Sequence, residues 1–165
     1  MSKFDKPEFD ERLSQLNDAW KAILLLQSRL VADLEERAEA KKVVEPSTFH
    51  VLAILMKCGG KARFKYLTQH VLIRRAGLSR LLARLEKERL VRRERCEDDD
   101  RGVDIALTDI GEKAFMAAFP VYSDRLKERL GNHLDADSVR QLTEILGRVL
   151  KANGWAPPVI SNVSK

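Results

Sequence analysis

At 165 residues the chain is long enough for one domain with a buried core, yet its longest apolar runs fall far short of the roughly 20 residues a bilayer span needs. The acidic, polar start MSKFDKPEFDE lacks the apolar core of a secretory signal, and two distant cysteines, Cys58 and Cys96, without a CxxC or Cys/His partner nearby, argue against a zinc site and fit a reducing cytoplasm. The net charge of +5 is localised: residues 61–101 hold 13 Lys/Arg against 7 Asp/Glu, and the remainder 17 against 18, so a near-neutral body carries one basic patch of the kind that binds phosphates.

In chain order, residues 8–40 repeat apolar side chains at steps of three and four, from Phe9 and Leu13 through Trp20 and Leu24 to Leu34, which predicts one long amphipathic helix. Such a helix exceeds the usual globular length, so part of it is expected to pack outside its own domain, a second copy of the chain being the natural candidate. Pro46 suits the first position of a second helix, residues 47–57, which turns Phe49, Leu52, Leu55 and Met56 inward and ends at Cys58-Gly59-Gly60. His50 on this helix reads as a partly buried, hydrogen-bonded histidine rather than a ligand or base. A minor strand at 61–64 and a brief helix at 64–70 follow, the latter being the supporting helix of a helix-turn-helix.

The stretch 74–108 concentrates the chemistry. At 100° per residue, Leu78, Leu81, Leu82 and Leu85 share one face, while Ala76, Ser79, Arg80, Ala83, Arg84 and Lys87 share the other. The small residues suit a helix seated deep in a major groove, Arg80 and Arg84 reach for base edges or phosphates, and Arg74 and Arg75 stand at the helix start. Two extended runs, 90–95 and 103–107, with a turn at 97–102, make a hairpin beside this helix. Its acidic tip would be repelled by DNA, so Asp99 is expected to pair with Arg93 or Arg95, bracing the tip and presenting Arg101 to the minor groove. Thr108 then caps a helix through Ile110, Phe115 and Tyr122, in which Pro120 predicts a kink or break. Asp135 or Asp137 caps a last helix ending at Asn153-Gly154, and Trp155, Val159 and Ile160 are what the tail can bury.

The run Leu78-Ser79-Arg80-Leu81-Leu82-Ala83-Arg84-Leu85-Glu86, then Leu90-Val91-Arg92-Arg93, then Asp99-x-Arg101 and Leu107-Thr108, resembles the signature of the MarR family of bacterial winged-helix regulators. The resemblance spans about residues 10–152. It implies a mostly α winged helix-turn-helix fold, α-α-β-α-α-β-β-α-α, and a homodimer joined by the first and last helices on a pseudo-palindromic operator. For many members it also implies release by a small, often aromatic or phenolic, ligand held between the dimer helices and the DNA-binding lobe. One departure concerns the wing's approach: members often carry Gly where this chain has Arg89, so the turn after the recognition helix is expected to differ in shape.

The whole chain, 1–165, is thus expected to be one domain, with a dimerisation region at 8–40 and 109–165 and a DNA-binding lobe at 46–108. The leading reading is a cytoplasmic, dimeric transcriptional repressor that binds double-stranded DNA, needs no cofactor or metal, and is released by a small effector such as an aromatic acid. Candidate DNA contacts are Arg74, Arg75, Ala76, Ser79, Arg80, Arg84 and Arg101. Trp20, Leu24, Phe49, His50, Phe64 and Tyr66 are the residues that could border an effector crevice. A winged-helix module for protein–protein contact and a thiol-based redox-responsive regulator, with arginines near Cys96 lowering its pKa, are the alternatives. An enzyme is disfavoured, because Ser79, Cys58 and Cys96 have no evident base and orienter.

Overall fold

The computed structural model describes residues 10–71, 73–95 and 102–156. Its elements are α1 (Glu11–Lys41), α2 (Pro46–Lys57), β1 (Lys61–Arg63), α3 (Phe64–His70), α4 (Arg75–Lys87), β2 (Val91–Arg95), β3 (Val103–Leu107), α5 (Asp109–Leu126), a π-helical turn (Lys127–Gly131) and α6 (Ala136–Ala152). The chain divides into two compact units, one ending at Asp33 and the other beginning at Leu34.

In the first unit α1 starts with the Asp10 carboxylate accepting from Leu13 N at 2.6 Å, which satisfies one of the donors left open at a helix start. Its apolar positions do not find cover in this unit. Leu13, Leu16, Trp20, Ile23, Leu24, Leu25 and Leu26 all stay 43–62% exposed.

The second unit holds the core. Leu52, Leu55, Leu67, Leu78, Leu82, Leu85 and Ile105 are fully enclosed between α2, α3, α4 and a three-stranded antiparallel sheet of order β1-β3-β2. The leucine stripe of α4 lies in this core as the wheel predicts, with Leu78, Leu82 and Leu85 at 0% exposure. A smaller cluster joins Ala38 to Ala118 and Tyr122, and Phe49 stacks on Tyr122 with centroids 4.1 Å apart and on Phe115 at 5.3 Å.

The joints explain why the chain turns where it does. Arg89 (φ 59°) adopts the left-handed conformation that glycine favours, and Leu90 N reaches back to Leu85 O at 2.8 Å to close a Schellman turn. Despite the missing glycine, the turn therefore has the left-handed shape a glycine would supply. Thr108 caps α5 by accepting from Gly111 N at 3.0 Å, and Asp135 caps α6 by accepting from Ser138 N at 2.8 Å. The break expected at Pro120 does not occur: α5 runs through it to Leu126. Pro120 and Met116, whose carbonyl loses its donor, both lie on the exposed face, where water can satisfy that carbonyl, while Phe115, Ala118 and Tyr122 anchor the opposite face.

No residue of α6 is buried, and its stripe Val139, Leu142, Ile145, Leu146 and Val149 stays 36–51% exposed. Among the described residues no helix is long and apolar enough to cross a membrane.

Candidate nucleic-acid interface

With its leucines committed to the core, α4 presents Ala76, Arg80, Ala83 and Arg84 outward and Ser79 half-buried at the edge of that face. Arg74, the residue preceding the helix, and Arg80 have no ion-pair partner among the described residues and extend from an otherwise small-residue surface. Arg75 is oriented by a ring: its guanidinium lies 5.7 Å from the centroid of Phe64, a cation–π distance.

The strands β2 and β3 form the hairpin predicted beside this helix, paired from Val91↔Leu107 to Arg95↔Val103. Alternation along β2 puts Arg93 and Arg95 on the same side as the buried Val91, the side that faces α4. Arg93 Nε accordingly lies 3.2 Å from Glu86 Oε2 of α4. Expected from the sequence as a partner for Asp99, Arg93 is engaged with the recognition helix, and it ties hairpin to helix. Arg95 has no ion-pair partner among the described residues, and Asp99, Arg101 and Cys96 lie outside them.

On the other side of the sheet Glu94 stands opposite Asp104, and Asp104 opposite Arg63. Two facing carboxylates would repel. They are compensated by Arg92 Nε at 2.6 Å and Lys61 Nζ at 3.6 Å from Glu94, and by Arg63 Nε at 3.6 Å from Asp104. The Arg92 hydrogen bond in particular holds the Glu94 carboxyl below its usual pKa.

Between the α4-facing side of the hairpin, the start of α3 and the first turns of α4 lies a cleft of about 830 Å³. Arg63, Lys65, Arg75 and Arg93 line it together with Phe64, Tyr66, Gln69 and Ser79, and its described lining contains no carboxylate. Arg63 and Arg93 are paired with Asp104 and Glu86, so Lys65 and Arg75 are the cations of this concave wall without an ion pair among the described residues, and they concentrate positive potential where a phosphate backbone can enter. Arg63, Lys65 and Gln69 were not singled out from the sequence. The available signal was the Arg63-Phe64-Lys65 alternation inside the basic segment, which placed two cations around the ring that orients Arg75.

Arg84, expected as a DNA contact, is engaged within the chain. Its Nη2 donates to Glu45 Oε1, immediately before α2, and to Thr48 Oγ1 at 3.2 Å, so its guanidinium is turned toward α2. Hydrogen bonding from Arg84, the leading cause, holds the Glu45 carboxyl below 4.5.

Of the residues expected around an effector crevice, Phe49 and the pair Phe64 and Tyr66, all in the second unit, line two different pockets. Trp20 and Leu24 belong to the first unit, where both are exposed. In the second unit Phe49 lines a groove of about 410 Å³ between α2 and α5, with Ala53, Met56, Lys57, Phe115 and Phe119. Phe64 and Tyr66 line the basic cleft instead, and His50 Nε2 bonds the His70 carbonyl at 3.1 Å. The cause is the sheet-proximal position of α3, which carries Phe64 and Tyr66 away from the aromatic stack of Phe49. Tyr66 stacks on His70 at 3.9 Å, and burial, with a smaller contribution from the adjoining Cys58 thiol, raises its pKa above 10.0. Among the described residues no cluster of three or more His, Cys, Asp or Glu could hold a metal.

A supporting helix, an outward-facing helix and a β-hairpin on a three-stranded sheet define a winged helix-turn-helix protein. Residues 44–102, which hold α2 to β2 of that unit, match the sequence model of the MarR family. Among solved structures, the chain is similar to two MarR family transcriptional regulators from Streptomyces coelicolor. Sco3205, determined in complex with DNA, is 25% identical with a TM-score of 0.78, over 94% of this chain and 97% of that one. AbsC is 21% identical with a TM-score of 0.77, over 90% and 99%. The organohalide-sensing regulator RdhR in its 2,4-dichlorophenol-bound form is 18% identical with a TM-score of 0.71, over 92% and 89%. No curated protein matches the chain in sequence. The chain thus matches the MarR family model over residues 44–102 and has the fold of these MarR family transcriptional regulators.

Proposed function

We propose that the protein is a homodimeric, sequence-specific DNA-binding repressor whose α4 enters the major groove while the hairpin reaches the adjacent backbone. The observation that carries this reading is the juxtaposition of Arg74, Arg80 and a cleft lined by Arg63, Lys65, Arg75 and Arg93, with no carboxylate among its described lining residues. These groups suit phosphates and base edges of double-stranded DNA, and Sco3205, which shares the fold, was determined with DNA bound. The exposed apolar residues of α1 in the first unit and of α6 in the second support a dimer, since monomers rarely leave such stripes bare. Two copies would place the α4 helices about one DNA turn apart, roughly 34 Å.

The electrostatic component is tested by salt. Several phosphate contacts per dimer make operator affinity fall on the order of 10³-fold or more between about 50 and 200 mM salt. An affinity flat across that range contradicts the reading and favours protein–protein contact by the same basic face.

Release by a small aromatic acid is supported by the groove between α2 and α5, where Phe49, Phe115 and Phe119 offer ring faces and Lys57 a cation. RdhR, of the same fold, has been determined with 2,4-dichlorophenol. A panel of aromatic acids screened by thermal shift and operator release tests this part: a compound that stabilises the protein yet leaves it on DNA counts against an inducer.

A further inference from the structure

The contacts of Arg84 are not those of its neighbour Arg80. Both project from the outer face of α4, one turn apart, yet Arg84 turns back to an acceptor cluster at the start of α2. There Glu45 Oε1 accepts from Arg84, from Ser47 Oγ at 2.7 Å and from Thr48 Oγ1 at 3.5 Å, while Thr48 Oγ1 itself accepts from Arg84 at 3.2 Å. Thr48 is buried, so one wall of this cluster is fixed by core packing. The preceding carbonyl, that of Val44, is held by the Tyr122 hydroxyl of α5 at 2.8 Å, and Tyr122 is fixed in turn by its stack on Phe49. The segment joining α1 to α2 is therefore clamped on one side by α5 and on the other by the recognition helix.

We propose that Arg84 is a positioning residue, which through Glu45 sets the orientation of α4 from the α1–α2 joint, and that it does not contact DNA directly. A helix presenting Arg80 to base edges tolerates only small rotations before bidentate geometry is lost. The leucine stripe fixes which face of α4 is buried, whereas a charge-assisted tie from its C-terminal half to another element fixes its rotation and tilt. Glu86, two residues on, makes the corresponding tie to Arg93 of the hairpin, so α4 is held from both flanks by side chains of its own outer half. A rearrangement of the α1–α2 joint or of the Tyr122 stack would reach the DNA-binding surface through this pair.

The proposal rests on the DNA-binding reading, and the charge of Glu45 makes it separable from simple electrostatics. Removing a carboxylate near a DNA-binding face ordinarily tightens binding. If Glu45 positions α4, Glu45→Gln does the opposite. Operator affinity of the full-length protein is measured against salt for wild type, Glu45→Gln, Arg84→Met and the double variant, and amide hydrogen exchange of α4 is followed without DNA.

The expected result is a three- to tenfold loss of operator affinity in each single variant, an unchanged salt slope, a double variant no weaker than the weaker single, and faster exchange at the last two turns of α4. Glu45→Gln binding as tightly as wild type, or more tightly, overturns the proposal. So does a fall of about two in the salt slope of Arg84→Met, which marks one phosphate contact per protomer. If the wild type selects no DNA sequence, the DNA-binding reading fails by itself and exchange alone decides: unchanged protection of α4 in both single variants overturns the joint.

Discussion

The Thr108 hydroxyl donates to the Arg89 carbonyl over 2.6 Å, linking the cap of α5 to the left-handed residue that ends the recognition helix. The same oxygen accepts from Gly111 N, so one side chain fixes where α4 stops, where β3 ends and where α5 begins. Arg89 is held in a conformation costing about 1 kcal/mol for a residue with a Cβ. Arg89→Gly is expected to stabilise the fold by about 1 kcal/mol, less the entropy glycine adds to the unfolded chain. Urea denaturation checks this, and a midpoint below that of wild type would mean that the Arg89 side chain has a stabilising role of its own.

Gly111 gives the opposite sign. Alanine in a helix gains about 1 kcal/mol over glycine, but a Cβ at this position would stand 2.0 Å from the Leu90 carbonyl oxygen and 2.8 Å from a Leu107 methyl. Backbone cannot yield as a side-chain tip can, so α5 would have to shift from the base of the hairpin. Gly111→Ala should cost about 2 kcal/mol net, measured by thermal and urea unfolding; equal or greater stability would show that the contact between α5 and the wing base is loose.

Acid and alkali should act on different groups. Glu45, Glu94 and Glu128 are held below 4.5, chiefly by hydrogen bonds from Arg84, Arg92 and Arg125 respectively, and Asp135 is held below 3.8 by its cap to Ser138. Their contribution is fully present above those unfolded values and is lost as pH falls through the lower folded values. Burial raises the pKa of Tyr122 above 10.0, so its contribution is present below pH 10 and lost as pH climbs beyond it. The melting temperature should be level across neutral pH, drop below about pH 4.5 and drop again above about pH 10. Tyr122→Phe should shrink the alkaline limb, to which Tyr66, also raised above 10.0, contributes as well, and leave the acid limb unchanged; an unchanged alkaline limb would assign it to other groups.

Arg80→Ala should weaken operator binding about tenfold or more and relax sequence preference, since a base-edge contact is worth about 1–3 kcal/mol. Lys65→Ala should weaken binding uniformly across sequences while lowering the salt slope, as for a phosphate contact. If competition binding with operator and scrambled DNA shows Arg80→Ala losing equally on both, α4 is not the reading element.

The exposed stripe of α6 yields a further test. Ile145→Glu places a charge among Leu142, Leu146 and Val149, and sedimentation should show the dimer giving way to monomer with weakened operator binding. A wild-type protein that sediments as a monomer at micromolar concentration contradicts the dimer.

Local periodicity carried much of this structure into view. Leu78, Leu81, Leu82 and Leu85 report their burial through spacing alone, and Thr108 and Asp135 declare helix starts by their chemistry. The destination of Arg84 was not legible, because Glu45 lies 39 residues away and no period connects the two. Arg93 was half legible: alternation put it on the Val91 side, but that this side met Glu86 depended on how α4 packs against β2. The effector residues were the least legible, since aromatic side chains at 49, 64 and 66 read alike until α3 is placed against the sheet.

Selection of bound DNA from a random pool by the purified protein tests the central claim most directly. The account predicts enrichment of a two-fold symmetric site with half-site centres about one helical turn, roughly 34 Å, apart. Enrichment of no sequence, or of a site without two-fold symmetry, would contradict it.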